Sequence, residues 1–292
     1  MTKRQLTAEE SFDIRQALHV ATLDALMASR RWAPGDLVFQ GGTSLHLAHG
    51  SPRFSEDLDF VVDASLRLDR IGDGVRQRLQ DVAWLPEGAT LTVTRAKTEN
   101  NPLTFVVAVG GQNLLGGVRV KVELWQASPN AVKGMRASVL PVQLARGRLG
   151  GFQTFVPTAE MHEIYADKVF ALPARPYLKP RDIFDLHWIK SQHSEMKVTP
   201  EELAVRLETY PGESASDWLQ KARDRLQSLE TSREQVHADL KRWLPSSWPL
   251  TQEQVAAMLE TAREAVEHGM AQIEAAEEIL KSSRPAAQPP RP

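Results

Sequence analysis

The sequence contains no cysteine among its 292 residues. Disulfide bonds, thiolate nucleophiles and cysteine-based zinc sites are therefore excluded, and any metal ion must be held by oxygen atoms or histidine. The formal net charge is only −2. This total does not by itself indicate a protein that binds nucleic acid, although it leaves room for a local basic surface.

Long apolar stretches are also missing. No segment approaches the ~20 apolar residues of a membrane span, and the N-terminal MTKRQLTAEE lacks the apolar segment of a signal peptide. We therefore expect a cytoplasmic protein with no membrane partner. The composition, 42% hydrophobic and 25% charged, is that of a globular protein with enough length for one large or two modest domains.

The most informative segment is GGTSLHLAHGSPRFSEDLDF, residues 41–60. Its two glycines follow a short apolar run, and they permit a sharp turn and a close approach of the backbone to a ligand. The residues after them have the spacing of a short helix, whose N-terminus favours phosphate. The segment predicts a site for the distal phosphates of a nucleoside triphosphate, formed by Gly41, Gly42, Thr43 and Ser44.

Two aspartates at alternate positions end the same segment. If Asp57 and Asp59 lie on a strand, their side chains project from one face ~7 Å apart and can share hard cations. Further along, GVRVKVELW alternates as a second strand and places Glu123 on its polar face. On the assumption that the two strands are neighbours, Glu123 completes a site for Mg²⁺, with Mn²⁺ as the alternative. Such ions would polarise the α-phosphate and stabilise a pyrophosphate leaving group.

Basic residues supply the remaining charge. Arg53 offers a planar group that can make two parallel hydrogen bonds, and Lys168 offers a point charge. Lys168 lies in a helix predicted over residues 157–172, with a capping signal at Thr158. Lys168 is also compatible with a surface lysine whose stem lies on apolar neighbours. Asp182 and Asp185 share one side of the next predicted helix. Both have structural alternatives, a helix-terminal charge or cap for Asp182 and an arginine partner for Asp185.

Each motif alone has an ordinary structural interpretation. A glycine pair is usually a plain turn, an aspartate pair a solvated strand end, and Glu123 a charge on a sheet surface. The motifs follow one another in the order that a nucleotide and metal site requires, and this order favours the functional interpretation.

Two separated blocks resemble the AbiEii family of nucleotidyltransferase-like toxins, also described as the MenT type, within the DNA polymerase β-like nucleotidyltransferase superfamily. The first block is FQGGTSLHLAHGSPRFSEDLDF, residues 39–60. The second is PTAEMHEIYADKVFALPARPYLKPRDIFDLHWI, residues 157–189, and Glu123 stands between them. The two blocks in this order are far more specific than either aspartate pair alone.

The resemblance implies catalytic roles for residues of both blocks. Asp57 and Asp59 correspond to metal-binding catalytic residues, and Lys168 to a lysine that contacts the triphosphate. Asp185, with Asp182 as a second candidate, corresponds to the late catalytic aspartate.

Three further positions follow from the same comparison. Arg53 and Ser55 match the segment that precedes the first aspartate, which adds both to the predicted nucleotide site. Glu123 is a departure, because many superfamily members have aspartate at this point. The longer side chain can still ligate a metal ion, but with a different geometry.

The activity implied by the resemblance is that of a toxin moving a nucleoside monophosphate from a nucleoside triphosphate to an acceptor hydroxyl. A tRNA 3′ end is the best candidate acceptor, and a co-encoded antitoxin is the expected partner. Two alternatives stay open at this point. One is a kinase-like phosphotransferase that uses the same site, and the other is a non-catalytic nucleotide-binding module whose acidic helical C-terminus binds a partner.

The predicted fold is α+β. We expect a nucleotidyltransferase palm with a mixed or antiparallel sheet over residues 1–156, and a mostly helical region over residues 157–281 that contributes Lys168 and Asp185. The proline-rich tail, residues 282–292, is expected to be disordered.

Overall fold

The computed structural model describes residues 3–80, 84–95, 97, 99–144, 149–210 and 212–283. The chain forms two compact units, Met1–Glu160 and Met161–Pro292. The first unit combines a sheet with helices and the second is helical in its described part, so the α+β prediction is confirmed.

The N-terminal unit alternates strands and helices. In chain order its elements are β1 (Arg4–Gln5), α1 (Ala8–Ala28), β2 (Leu37–Gln40), α2 (Gly41–Leu47), β3 (Leu58–Asp63), α3 (Ile71–Arg78), β4 (Thr90–Val93), β5 (Leu103–Gly110), β6 (Leu114–Leu115), β7 (Val118–Ala127), α4 (Pro129–Gly134), β8 (Ala137–Gln143) and β9 (Gln153–Ala159). The short β1 and β6 pair in parallel with each other.

The other seven strands form one mixed sheet in the order β4-β5-β7-β3-β2-β9-β8. The β3–β7 and β2–β9 pairs are parallel, and the remaining neighbours are antiparallel. The asparagine and glycine residues that separate β4, β5 and β7 in the sequence are typical of the turns of antiparallel hairpins.

One face of the sheet carries most of the core of this unit. Every second residue is buried in β5 and in β7 from Val118 to Leu124, as expected of strands with one face against a core. Helix α1 covers this face and contacts β5, β7, β9 and α3. A capping box holds its N-terminus, because Thr7 accepts from the Glu10 backbone while the Glu10 side chain accepts from the Thr7 N–H.

The helix predicted to begin at residue 157 begins later. Residues Gln153–Ala159 form β9, which pairs with β8 and β2, and helix α5 begins at Met161. Thr158 does not cap this helix. It is buried within β9, and its hydroxyl donates to the Val156 carbonyl oxygen at 2.9 Å. Pairing on both sides of β9 outweighs the local capping signal.

The second unit contains six helices within its described residues: α5 (Met161–Ala174), α6 (Pro180–Gln192), α7 (Pro200–Thr209), α8 (Ala215–Glu230), α9 (Arg233–Leu240) and α10 (Gln252–Ser283). Helix α10 contacts each of the other five. The fully buried Trp218 on α8 anchors this packing, and its indole N–H donates to the Phe170 carbonyl oxygen at 2.9 Å.

The end of the chain differs slightly from expectation. Helix α10 extends to Ser283, so the first two residues of the predicted tail are helical, and residues 284–292 lie outside the described residues. None of the described helices has the length and apolarity needed to span a membrane.

Candidate active site

The two acidic strands are direct neighbours. Strand β3 pairs in parallel with β7, and Asp59 lies opposite Glu123 in that register. Residues at matched positions on neighbouring strands project from the same face, with ~5 Å between the strands. Asp57 lies one residue before β3 and two residues before Asp59. The adjacency assumed from the sequence is confirmed.

A lysine belongs to the same acidic group. Lys121 precedes Glu123 by two residues on β7, and its Nζ lies 3.1 Å from Glu123 Oε1. Burial lowers the pKa of Lys121, but the hydrogen bond to Glu123 and the charges of the two aspartates outweigh this and raise it above its ordinary value. Lys121 therefore compensates part of the negative charge.

Gly41 brings the start of helix α2 against an acidic side chain. Its φ of +80° is a conformation that favours glycine, and a Cβ at this position would lie 2.6 Å from Asp59 Oδ2. Any larger residue would displace the carboxylate. The first glycine of the pair thus allows the Asp59 side chain to lie directly beside the backbone of the helix start.

Gly42 makes room for a different group. A Cβ there would lie 2.1 Å from Arg53 Nη2 and 3.1 Å from Ser55 Oγ. Arg53 is only 2% exposed, and its Nη1 donates to the Phe54 carbonyl oxygen at 2.8 Å. The structure therefore brings together Arg53, Ser55 and the glycine pair, which the sequence placed in one nucleotide site.

The two hydroxyls after the glycines serve the local fold. Thr43 and Ser44 are fully buried. The Thr43 hydroxyl donates to the Asp57 carbonyl oxygen, and the Ser44 hydroxyl donates to the Gly41 carbonyl oxygen at 2.8 Å. Thr43 thereby ties helix α2 to the backbone of the first aspartate.

Helix α1 supports the loop that carries Arg53, Ser55 and Asp57. His19 Nε2 on α1 donates to the Glu56 carbonyl oxygen at 2.8 Å, since a carbonyl can only accept. The Glu56 side chain in turn pairs with Arg15 Nη1 at 3.0 Å. The loop is therefore held from α1 through both the backbone and the side chain of residue 56.

A divalent cation fits the donor set of this site. Within the described residues, no three or more His, Asp or Glu side chains form a group that could hold a metal ion. Mg²⁺, however, is usually bound through one or two carboxylates together with substrate phosphates. Asp57 and Asp59 provide such carboxylates, and Glu123 beside them is paired with Lys121.

The second unit holds a buried group of charges. Lys168 on α5 is 6% exposed, and its Nζ lies 2.6 Å from Asp182 Oδ1 and 2.9 Å from Asp185 Oδ2. Both aspartates lie on α6 and are fully buried. The three residues that the sequence assigned to the downstream half of the site are therefore in direct contact, and Lys168 is a core residue rather than a surface lysine.

Further cations surround Asp182. Arg175 Nε lies 2.9 Å from its Oδ2. Burial raises the pKa of Asp182, but Lys168, Arg175 and the nearby Lys179 outweigh this and hold the pKa of the carboxyl well below its ordinary range. Burial, assisted by these neighbouring cations, lowers the pKa of Lys179.

Sequence reasoning missed three of these basic residues. Lys121 lies on the same polar face of β7 as Glu123, so strand alternation already contained the signal for it. Arg175 and Lys179 lie between the two helices of the second block, where no periodic pattern distinguishes them. Only the packing of α5 on α6 shows their part in the charge group.

The close contact at Gly41 can be tested by substitution. Gly41→Ala and Gly50→Ala both place alanine at a φ of +80°, a strain of about 1–2 kcal/mol. Only the Cβ at position 41 meets another group, because nothing lies within 4 Å of position 50. We expect Gly41→Ala to lose about 1 kcal/mol more in free energy of unfolding, measured by urea denaturation. Equal losses would contradict the contact with Asp59.

The buried His19 predicts a loss of stability in acid. Burial lowers its pKa from 6.5 to about 4. Below pH 6.5 the unfolded chain takes up a proton that the folded chain resists, so the free energy of unfolding falls as the pH decreases. We expect a contribution of about 2 kcal/mol between about pH 7.5 and 5.

Urea denaturation across this pH range tests the effect of His19. His19→Gln should flatten the pH dependence of the free energy of unfolding by that amount. Identical profiles of wild type and His19→Gln would show that His19 does not titrate as described.

The buried charges of the second unit predict an order of stabilities. Lys168→Met leaves two buried carboxylates without their shared cation and should cost about 3–5 kcal/mol. Asp185→Asn keeps the Lys168–Asp182 pair and should cost less. Thermal and urea unfolding of both variants measures the difference, and a Lys168→Met protein as stable as wild type would contradict the structural role of the lysine.

A known protein family matches the part of the chain that contains these residues. The family model described as "Nucleotidyl transferase AbiEii toxin, Type IV TA system" matches residues 25–281, a span that contains both the acidic strands and the Lys168 group. Among curated proteins, none matches the chain. The resemblance inferred from the two sequence blocks is thereby confirmed.

Solved structures show the same fold at low sequence identity. MenT4, a nucleotidyltransferase toxin from Mycobacterium tuberculosis H37Rv, matches with a TM-score of 0.59 and 19% identity, covering 96% of this chain and 96% of MenT4. JHP933 from Helicobacter pylori matches with a TM-score of 0.51 and 18% identity, covering 94% of this chain and 100% of JHP933. Since the family model spans most of the sequence, the chain belongs to the AbiEii family of nucleotidyl transferase toxins of type IV toxin–antitoxin systems.

Proposed function

We propose that this protein transfers a nucleoside monophosphate from a nucleoside triphosphate to the 3′-terminal hydroxyl of an RNA, with tRNA as the preferred acceptor. The observation that carries the proposal is the position of Asp59, which lies opposite Glu123 and against the backbone of Gly41. Carboxylates and a glycine-lined helix start in direct contact are suited to a cation and a phosphate chain together.

Asp57 and Asp59 would hold the divalent cation, Mg²⁺ or Mn²⁺, with Glu123 as the neighbouring carboxylate. When bound, such a cation offsets the charge of the triphosphate and of the leaving pyrophosphate. Lys121 limits the repulsion among the carboxylates through its contact with Glu123. The carboxylate group can then stay compact before a cation arrives.

The phosphate chain would bind at the start of α2. The Thr43 and Ser44 hydroxyls already donate to carbonyl oxygens of the protein. The phosphates would therefore be bound by the backbone N–H groups of the first helical turn, beside Gly41 and Gly42. The Arg53 guanidinium lies against Gly42 and adds positive charge there, with Ser55 next to it. This arrangement would orient the distal phosphates away from the carboxylates.

In the reaction, the acceptor hydroxyl oxygen forms a bond to the α-phosphorus. The bond from that phosphorus to the oxygen bridging to the β-phosphorus breaks, pyrophosphate leaves, and the hydroxyl proton is released. We assign Lys168 a contact with the triphosphate, and we assign Asp185 and Asp182 the orientation of its ammonium group, to which both are joined.

The biological setting follows from the family. Membership of a type IV toxin–antitoxin family implies an antitoxin as partner and a nucleotide as substrate. We place the reaction in the cytoplasm, where nucleoside triphosphates and tRNA are both present.

Labelled nucleotides distinguish this reaction from its alternatives. Total RNA is incubated with the protein, Mg²⁺ or Mn²⁺, and each nucleoside triphosphate labelled at either the α- or the γ-phosphate. Nucleotidyl transfer puts the α-label into RNA and releases labelled pyrophosphate from the γ-labelled substrate. Incorporation of the γ-label would instead indicate a kinase-like phosphotransferase. Binding of nucleotide without either product would indicate a non-catalytic module.

Loss of one cation-site carboxylate should stop the reaction. Asp59→Ala should reduce the rate of α-label incorporation by at least about 100-fold. Losing a metal ligand should cost at least as much activity as losing a group that only orients such a ligand. Its free energy of unfolding should stay within about 1 kcal/mol of wild type, since one of several neighbouring negative charges is removed.

Glu87→Ala is the matched control for Asp59→Ala. It removes one carboxylate at an exposed position of the same unit, outside the candidate site, so it should retain activity within about threefold. Full activity of a well-folded Asp59→Ala protein would refute the proposed site.

A further inference from the structure

Four arginines line a single surface cavity in the N-terminal unit. The cavity has a volume of about 320 Å³ and also borders on Ser29 and Gly74. We refer to it as the arginine pocket, and its four arginines are Arg30, Arg31, Arg67 and Arg70. Such a concentration of one sign of charge departs from the nearly neutral total of −2.

Within the described part of the chain, none of the four guanidinium groups of the arginine pocket forms an ion pair. The nearby Asp73 pairs with Arg76 instead, and the Asp36 side chain accepts from the Ala33 N–H. Arg30 Nε is buried and has no hydrogen-bond partner among the described residues. Like charges this close repel one another, and an anion in the cavity would relieve the repulsion.

Arg30 is also held in a defined orientation. Its guanidinium lies over the ring of Trp32, with the central carbon 4.9 Å from the ring centroid. The Trp32 indole N–H in turn donates to the Leu26 carbonyl oxygen near the end of α1 at 3.1 Å. This stacking limits the freedom of at least one arginine before a ligand binds.

The arginine pocket lies away from the acidic residues of the candidate site. Arg67 and Arg70 follow the C-terminal end of β3, whereas Asp59 lies near its start. The strand alone separates Asp59 from Asp63 by about 13 Å, at about 3.3 Å per residue. A triphosphate bound at Gly41 would have its phosphates at the end of β2 and β3 that is opposite to the arginine pocket. An anion in the pocket is therefore either a separate molecule or a much longer one.

We propose that the arginine pocket binds the phosphate backbone of the RNA whose 3′ end is the acceptor. This inference rests on the proposed function for the identity of the polyanion. An RNA can place phosphates at both ends of β3, whereas the three phosphates of one nucleotide are too close together to do so. An arginine guanidinium can donate two parallel hydrogen bonds to phosphate oxygens. Contacts to the phosphate backbone position a nucleic acid without recognising its bases.

Charge reversal tests the proposal in the full-length chain. Arg67 and Arg70 are exposed, so the double variant Arg67→Glu/Arg70→Glu should fold normally. The matched control, Arg78→Glu/Arg95→Glu, makes the same charge change at exposed positions of the same unit that do not line the cavity. Circular dichroism and urea unfolding check that both variants are folded.

Binding is measured without turnover, by fluorescence anisotropy of end-labelled bulk tRNA in the absence of nucleoside triphosphates. We expect the pocket variant to raise the Kd for tRNA at least about tenfold and to lower the slope of log K against log salt concentration by about 1 to 2. The control variant should stay within about threefold of wild type. Equal Kd values for the pocket and control variants, or no binding by wild type, would overturn the inference.

A second measurement separates RNA from small anions. Titration calorimetry with inorganic triphosphate and with each nucleoside triphosphate should give the same affinities for wild type and for the pocket variant. Loss of these affinities with unchanged tRNA binding would assign the pocket to a free nucleotide and overturn the inference.

The outcomes also distinguish this inference from the proposed function. If wild type binds tRNA through the pocket but incorporates no label, the catalytic proposal fails and the pocket assignment stands. If label is incorporated and the KM for tRNA is the same in the pocket and control variants, the pocket assignment fails and the catalytic proposal stands.

Discussion

The parallel register between β3 and β7 fixes the position of the acidic residues in the candidate site. Because side chains alternate along a strand, a slip of one residue would turn Asp59 into the core and expose Phe60 in its place. The buried Leu58 and Phe60 of β3 and the alternating buried residues of β7 oppose such a slip, since it would move them out of the core. Packing in the core of the sheet thus determines the geometry of the carboxylates on its surface.

The glycine pair shows how one short motif serves two neighbours at once. Gly41 leaves space for the Asp59 carboxylate and Gly42 leaves space for the Arg53 guanidinium, so each glycine places a charged group of opposite sign beside the same helix start. The absence of a side chain is what brings both charges close to the backbone. A ligand that carries both a cation and phosphates meets the matching charges within one turn of helix.

Local patterns predicted the fold class, and together with the assumption that the two acidic strands are neighbours they placed Asp59 opposite Glu123 on one face of the sheet. They did not predict that Lys168 is buried, since its partners lie on another helix and the contact depends on how two helices pack. Thr158 misled for a related reason, as long-range strand pairing overrode a local capping signal. The alternation of β7 placed Lys121 on the same face as Glu123. Its part in offsetting the charge of the aspartates depends on the pairing of β7 with β3, which the alternation does not give.

The near-neutral total charge coexists with local groups of opposite sign in the N-terminal unit. Carboxylates gather where β3 begins, and four arginines line the arginine pocket beyond its end. A polyanion near this unit is attracted by the arginine pocket and repelled by the carboxylates, so it is turned before it makes contact. Such preorientation acts over about one Debye length, so ionic strength sets the rate of productive encounters independently of the chemistry that follows.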